Sequence, residues 1–105
     1  MTVAFYEALA KGAGGLDPLR DTARLFMVPG MDHCGIGTDG PGISDTGIDP
    51  LTALERWVEA GEAPRELVAT KRDAGGAVLW SRPVCAYPQV ARASADGTGL
   101  TCAAP

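Results

Sequence analysis

Long apolar runs are missing from this chain, positive charge is scarce and scattered, and histidine occurs once. Each shortage excludes a class of function. No stretch reaches the roughly 18 consecutive apolar residues that a membrane-crossing helix needs, so no membrane span is expected. Lys and Arg number 9 against 13 Asp and Glu, for a net charge of −4. A phosphate backbone requires a positive stripe, so nucleic acid is not an expected partner. The residues Met1-Thr2-Val3-Ala4-Phe5-Tyr6-Glu7 hold no basic region followed by an apolar one, and no secretion signal is read in this stretch. Neither a Cys-x-x-Cys nor a His-x-x-x-His spacing exists to complete a four-ligand zinc set around Asp32, His33 and Cys34, so no metal site is expected.

What is present reads as globular. Hydrophobic residues make up 46%, and mean hydropathy is +0.04. However, 14 Gly and 8 Pro gather in connections that add little core, and 105 residues make a stable domain only if most of their apolar surface finds partners. Three cysteines leave an odd thiol in an oxidised protein. Cys85 and Cys102, joined by a Pro- and Gly-containing tail, are the natural pair, and Cys34 is left over.

Val3, Tyr6, Leu9 and Ala10 recur at helical spacing, and Gly12, Gly14 and Gly15 end the helix they define. In the connector from Leu16 to Thr22, Asp17 as cap and Pro18 at the first helical position can open one turn. Arg24 to Val28 reads as a buried strand, followed by a glycine-rich loop from Pro29 to Ile48. Asp49-Pro50 opens the clearest helix and Gly61 closes it. Its face of Leu51, Leu54, Trp57 and Val58 is expected to pack on a sheet. Leu67 to Thr70 and Val78 to Trp80 read as a hairpin around the turn Asp73 to Gly76, and the tail from Pro83 as irregular.

His33 stands shortly past the end of the Val28 run, where an apolar segment breaks at Pro29-Gly30. Chemistry in open α/β sheets collects past the carboxyl ends of strands, and His33 is the group able to carry protons near neutral pH without a perturbed pKa. It therefore reads as a candidate general base. The competing reading is a hydrogen-bonded loop residue. Cys34 is a poor nucleophile for it, because adjacent side chains seldom face each other. Ser44, Ser81 and Ser94 are the serines, and none lies in Gly-x-Ser-x-Gly.

The segments Thr2 to Glu7, Arg24-Leu25-Phe26-Met27-Val28-Pro29-Gly30-Met31 with His33-Cys34, Leu51 to Glu59 with Gly61 and Ala63-Pro64, and Ser81-Arg82-Pro83-Val84-Cys85-Ala86-Tyr87-Pro88-Gln89-Val90-Ala91 resemble the C-terminal end of the tannase and feruloyl esterase family. The resemblance implies an α/β class, with residues 1–105 as the C-terminal part of an α/β-hydrolase fold: short helix, buried strand, catalytic-histidine loop, amphipathic helix and terminal β-hairpin, incomplete as a domain. It implies a serine esterase acting on galloyl, feruloyl or related phenolic esters, in which His33 takes and returns the serine proton. The triad order in such folds is nucleophile, acid, histidine, so the first two fall upstream of Met1 and the missing N-terminal portion becomes the chain's partner. Cys34 is implied to bridge to a cysteine beside that serine, and Cys85 and Cys102 match a second bridge. Calcium is implied only for the absent lid domain, with no cofactor in this segment. The location implied is secreted or periplasmic. Asp32 stands where many members have glycine and is read as a solvated turn residue, not a triad member. The alternative is a non-catalytic module that binds or oligomerises, presenting Trp57 and Trp80.

Overall fold

A computed structural model describes residues 1–30 and 47–105. Helix α1 spans Thr2–Ala13 and ends where Gly14 turns left-handed at φ 90°. The Gly15 N–H then closes onto the Ala10 carbonyl at 2.7 Å, a stop that only a residue without Cβ makes cheaply. Helix α2, Leu16–Arg20, starts two residues earlier than the Asp17-Pro18 signal suggests. Gly15 takes the cap position, leaving Asp17 and Pro18 inside the first turn, where a missing N–H costs nothing.

These helices pack against each other around Tyr6, Ala10 and Leu19, joined by Leu16, Ala23, Leu25 and Tyr87. Tyr6 donates its hydroxyl to the Ala23 carbonyl at 2.8 Å, so its polar tip is satisfied while the ring is buried. The Tyr6 and Tyr87 rings meet edge to face, 6.0 Å between centroids at 89°. Tyr87 in turn donates to Glu7 at 2.5 Å, which ties residues 80 positions apart. That carboxylate acceptor raises the phenol above its ordinary pKa.

Strand β1, Glu66–Arg72, pairs antiparallel with β2, Val78–Cys85, in the register Glu66 with Cys85 through Lys71 with Trp80. The turn between them lies where expected. Asp73 accepts from the N–H groups of Gly75 and Ala77, both at 2.9 Å, and Gly76 supplies φ 87°. Ala69 of β1 and Val84 of β2 are buried, with Phe26, Val28, Ile48, Leu67 and Trp80 packed around them.

The tail is not irregular. β2 runs on to Cys85, and Val90–Ala93 (β3) pairs antiparallel with Leu100–Ala103 (β4). Asp96-Gly97 makes this second turn, the Asp96 carboxylate accepting from the Ser94 hydroxyl and from both the N–H and the hydroxyl of Thr98. Three donors hold its pKa down to about 2. The expected Cys85–Cys102 disulfide joins β2 to β4, with 5.6 Å between Cα atoms across a separation of 17 residues.

Two other expectations change. The Arg24 to Val28 segment makes one antiparallel bridge, Phe26 with Ala86, among the described residues, and its side chains are half-buried or exposed. Helix α3, Pro50–Ala60, has no buried residue, and Leu51, Leu54 and Val58 are 64%, 52% and 78% exposed. Its Trp57 is half-buried and lies under the Arg24 guanidinium, 5.6 Å from the ring centroid.

Candidate active-site framework

His33, Cys34, Asp32 and Ser44 lie outside the described residues. The structure does describe the two segments that flank them. On the N-terminal side, the Leu25 carbonyl accepts from the Tyr87 N–H at 2.7 Å, and Phe26 bridges to Ala86. On the C-terminal side, Gly47 and Thr70 exchange two backbone hydrogen bonds, at 2.9 and 3.0 Å. Both flanks are thus attached to the same β1–β2 ribbon, one past the end of β2 and one on the outer edge of β1.

Each attachment has a recess beside it. At the first, Met27, Val28 and Pro29 face Val84, Tyr87 and Val90 across an apolar cavity of about 530 Å³. At the second, Ile48, Asp49, Val68, Thr70 and Arg72 line a space of about 380 Å³. Asp49 caps α3 there, accepting from the Thr52 N–H at 3.0 Å and the Thr52 hydroxyl at 2.7 Å. Those donors lower its pKa, the backbone hydrogen bond most.

The serines that the structure describes are occupied elsewhere. Ser81 and Thr70 share a hydroxyl hydrogen bond across the β1–β2 ladder at 3.2 Å, and Ser94 belongs to the Asp96 turn. Neither sits on a strand-to-helix elbow. Trp57 and Trp80 each lie beside a guanidinium, Arg24 and Arg82 respectively. Among the described residues no cluster of three His, Cys, Asp or Glu side chains could hold a metal ion, and no helix is long and apolar enough to cross a membrane. Sequence reading missed two polar groupings, the Tyr87–Glu7 pair and a cluster of arginines at positions 20, 24 and 65. Only the spacing of Arg20 and Arg24, one helical turn apart, hinted at the second.

This arrangement of helices and small antiparallel sheets is found in a larger enzyme. The crystal structure of feruloyl esterase B from Aspergillus oryzae superposes on 97% of the chain with a TM-score of 0.73 at 27% identity, and the match takes in 23% of that enzyme. The fold is accordingly part of an α/β hydrolase. A family model described as tannase and feruloyl esterase matches residues 1–104, and the chain belongs to that family. It is 41% identical, over 99% of its length, to a mono(2-hydroxyethyl) terephthalate hydrolase of Piscinibacter sakaiensis. It is 40% identical, over 87% of its length, to a probable feruloyl esterase of Arthroderma benhamiae. The chain spans 17% of the length of each of these two relatives.

Proposed function

We propose that this chain supplies the general-base segment of a serine-type carboxylic ester hydrolase acting on galloyl, feruloyl or related phenolic esters. The supporting observation is the family match across residues 1–104, which takes in the His33-Cys34 motif. In this reading His33 takes the proton of the attacking serine and returns one to the departing alcohol. In this reading nucleophile and acid belong to polypeptide outside the chain, because none of Ser44, Ser81 and Ser94 lies in a Gly-x-Ser-x-Gly sequence. A base without a nucleophile transfers no acyl group, so the segment alone is inactive. The chain is then the C-terminal segment of the hydrolase domain, with the preceding portion as its partner.

Cys34 is assigned a disulfide to a cysteine outside the chain, holding the base close to its serine. A secreted or periplasmic location is supported by the Cys85–Cys102 bridge, since disulfides persist in oxidising compartments. No cofactor is assigned to this segment, and calcium is assigned to a lid domain outside it.

The test is hydrolysis of a ferulate or gallate ester by the full polypeptide and its His33→Ala variant. Loss of roughly 10²–10⁴-fold in kcat is expected, the range for a general base. The 105-residue chain alone should match free imidazole. Saturable hydrolysis by that chain, abolished in His33→Ala, would overturn the reading.

A further inference from the structure

We propose that the cleft between α2 and the Pro64-Arg65 segment is a binding site for a single carboxylate group. Arg20, Arg24, Arg65 and the Gln89 carboxamide line it, with Asp17 and Asp21 on its walls, around a volume of about 370 Å³.

Arg24 is fixed. Its Nε donates to the Arg20 carbonyl at 3.0 Å and its Nη1 to the Pro64 carbonyl at 2.8 Å, and its plane lies beside Trp57. Little side-chain entropy remains to be lost when its other donors meet a ligand. Arg20 is the reverse case. Its Nε is buried and has no hydrogen-bond partner among the described residues. A buried donor of this kind carries a desolvation cost, and because a ligand in the cleft does not reach it, Arg20 offers a ligand only the 24% of its side chain that is exposed, where an acceptor is still wanted. Its contact with Asp17 does not supply that acceptor. The separation is 4.0 Å from Nη1, and the Asp17 side chain is 97% exposed, so water screens the pair. Arg65 donates no side-chain hydrogen bond within the described residues, leaving a third planar fork free.

Charge selects among anions. Three guanidinium groups face two carboxylates, leaving one net positive charge in the cleft. That balance suits a monoanion and penalises a dianion, which the Asp17 and Asp21 carboxylates would repel. A planar carboxylate also matches the paired donors of a guanidinium in a way a spherical anion does not. The same group could arrive on a small organic acid or on a Glu side chain of a polypeptide.

The test is a titration of the full polypeptide followed through the arginine Nε–H resonances. Acetylalaninate carries one carboxylate, acetylalaninamide is its neutral counterpart, and acetyl-Ala-Glu-Ala-amide carries its only carboxylate on the side chain. Saturable shifts with acetylalaninate, absent with the neutral amide, are expected. Arg65→Gln should weaken the apparent Kd at least tenfold, and Arg20→Gln gives a second variant should the first fail to fold. Arg24 is left intact because it also holds Pro64 and Trp57. Shifts with acetylalaninate alone support a small acid as occupant, and shifts with the blocked peptide as well support a Glu side chain. A silent titration, equal response to the neutral amide, an unchanged Kd in both variants, or tighter binding of inorganic phosphate at pH 8 would each overturn the proposal.

Discussion

Helices α1 and α3 are nearly the same length, 12 and 11 residues, and both end on a left-handed glycine, yet they live in different surroundings. By local criteria α3 is the better helix. It has a side-chain cap in Asp49, proline in its first turn and the sharper apolar stripe, whereas Met1 offers α1 no side-chain cap. Burial reverses the order. Tyr6 and Ala10 of α1 are 6% and 5% exposed, while α3 buries no residue. Amphipathicity states which face wants cover, and the cover comes from other elements. For α1 those are α2 and Tyr87; for α3 the described residues supply Arg24 against Trp57 and little else.

The strongest test of this contrast is Tyr6→Ala. Emptying a buried aromatic site costs about 3–5 kcal/mol, from lost transfer energy and the cavity left behind. Tyr6→Phe isolates the hydroxyl and should cost about 1 kcal/mol, the net value of its bond to Ala23. Denaturant midpoints measure both. If Tyr6→Ala costs no more than an exposed α3 substitution, then α1 is not the anchored helix.

Opening the Cys85–Cys102 bridge comes next. With the cysteines 17 positions apart, the chain-entropy model gives about 3 kcal/mol. The effect should reach α1, because Tyr87 lies between the two cysteines and packs on Tyr6. In Cys102→Ser, amide exchange should quicken in β3, β4 and α1 and stay unchanged in α3. Equal quickening in both helices would erase the contrast.

That coupling marks where sequence reading succeeded and where it stopped. The ends of α1 and α3, the Asp73 turn and the Cys85–Cys102 pair were legible because each rests on one or two local residues of special geometry. The β3–β4 hairpin was not, since Val90-Ala91-Arg92-Ala93 and Leu100-Thr101-Cys102-Ala103 carry small side chains and weak alternation. The Asp96-Gly97 dipeptide was the missed signal. Arg24 to Val28 read as a buried strand because composition reports a need for burial, and pairing partners for a parallel strand are never local. For the candidate site, His33 was legible only as a motif. The attachment of its flanks at Ala86 and Thr70 joins residues distant in sequence, and the Arg20, Arg24 and Arg65 cluster is dispersed in the same way.

A smaller effect separates the helices by pH. Thr52 donors hold the Asp49 carboxyl below its ordinary pKa, so its contribution to stability is complete above the ordinary carboxylate value and is lost as pH falls through the depressed one. Acidification should therefore fray the start of α3 and spare α1, whose first turn has no acidic residue and whose cap makes no side-chain hydrogen bond. Amide exchange or shifts at Leu51 and Thr52 would record it, and Asp49→Ala should abolish the dependence. A matching acid transition at the start of α1 would count against the cap as its source.

The smallest expected effect falls on the helix with the more conspicuous pattern. Leu54 is 52% exposed, so Leu54→Ala removes little buried surface and leaves no cavity, and the cost in this chain should stay within about 0.5 kcal/mol. The same substitution in the full polypeptide distinguishes two origins of the stripe. If other parts of the hydrolase cover α3, the cost there rises toward the 2–5 kcal/mol typical of a buried leucine. If the cost is equally small in both, the stripe faces solvent throughout. A large cost in the chain alone would mean that Leu54 is already covered, and the contrast between the two helices would fail at its weakest point.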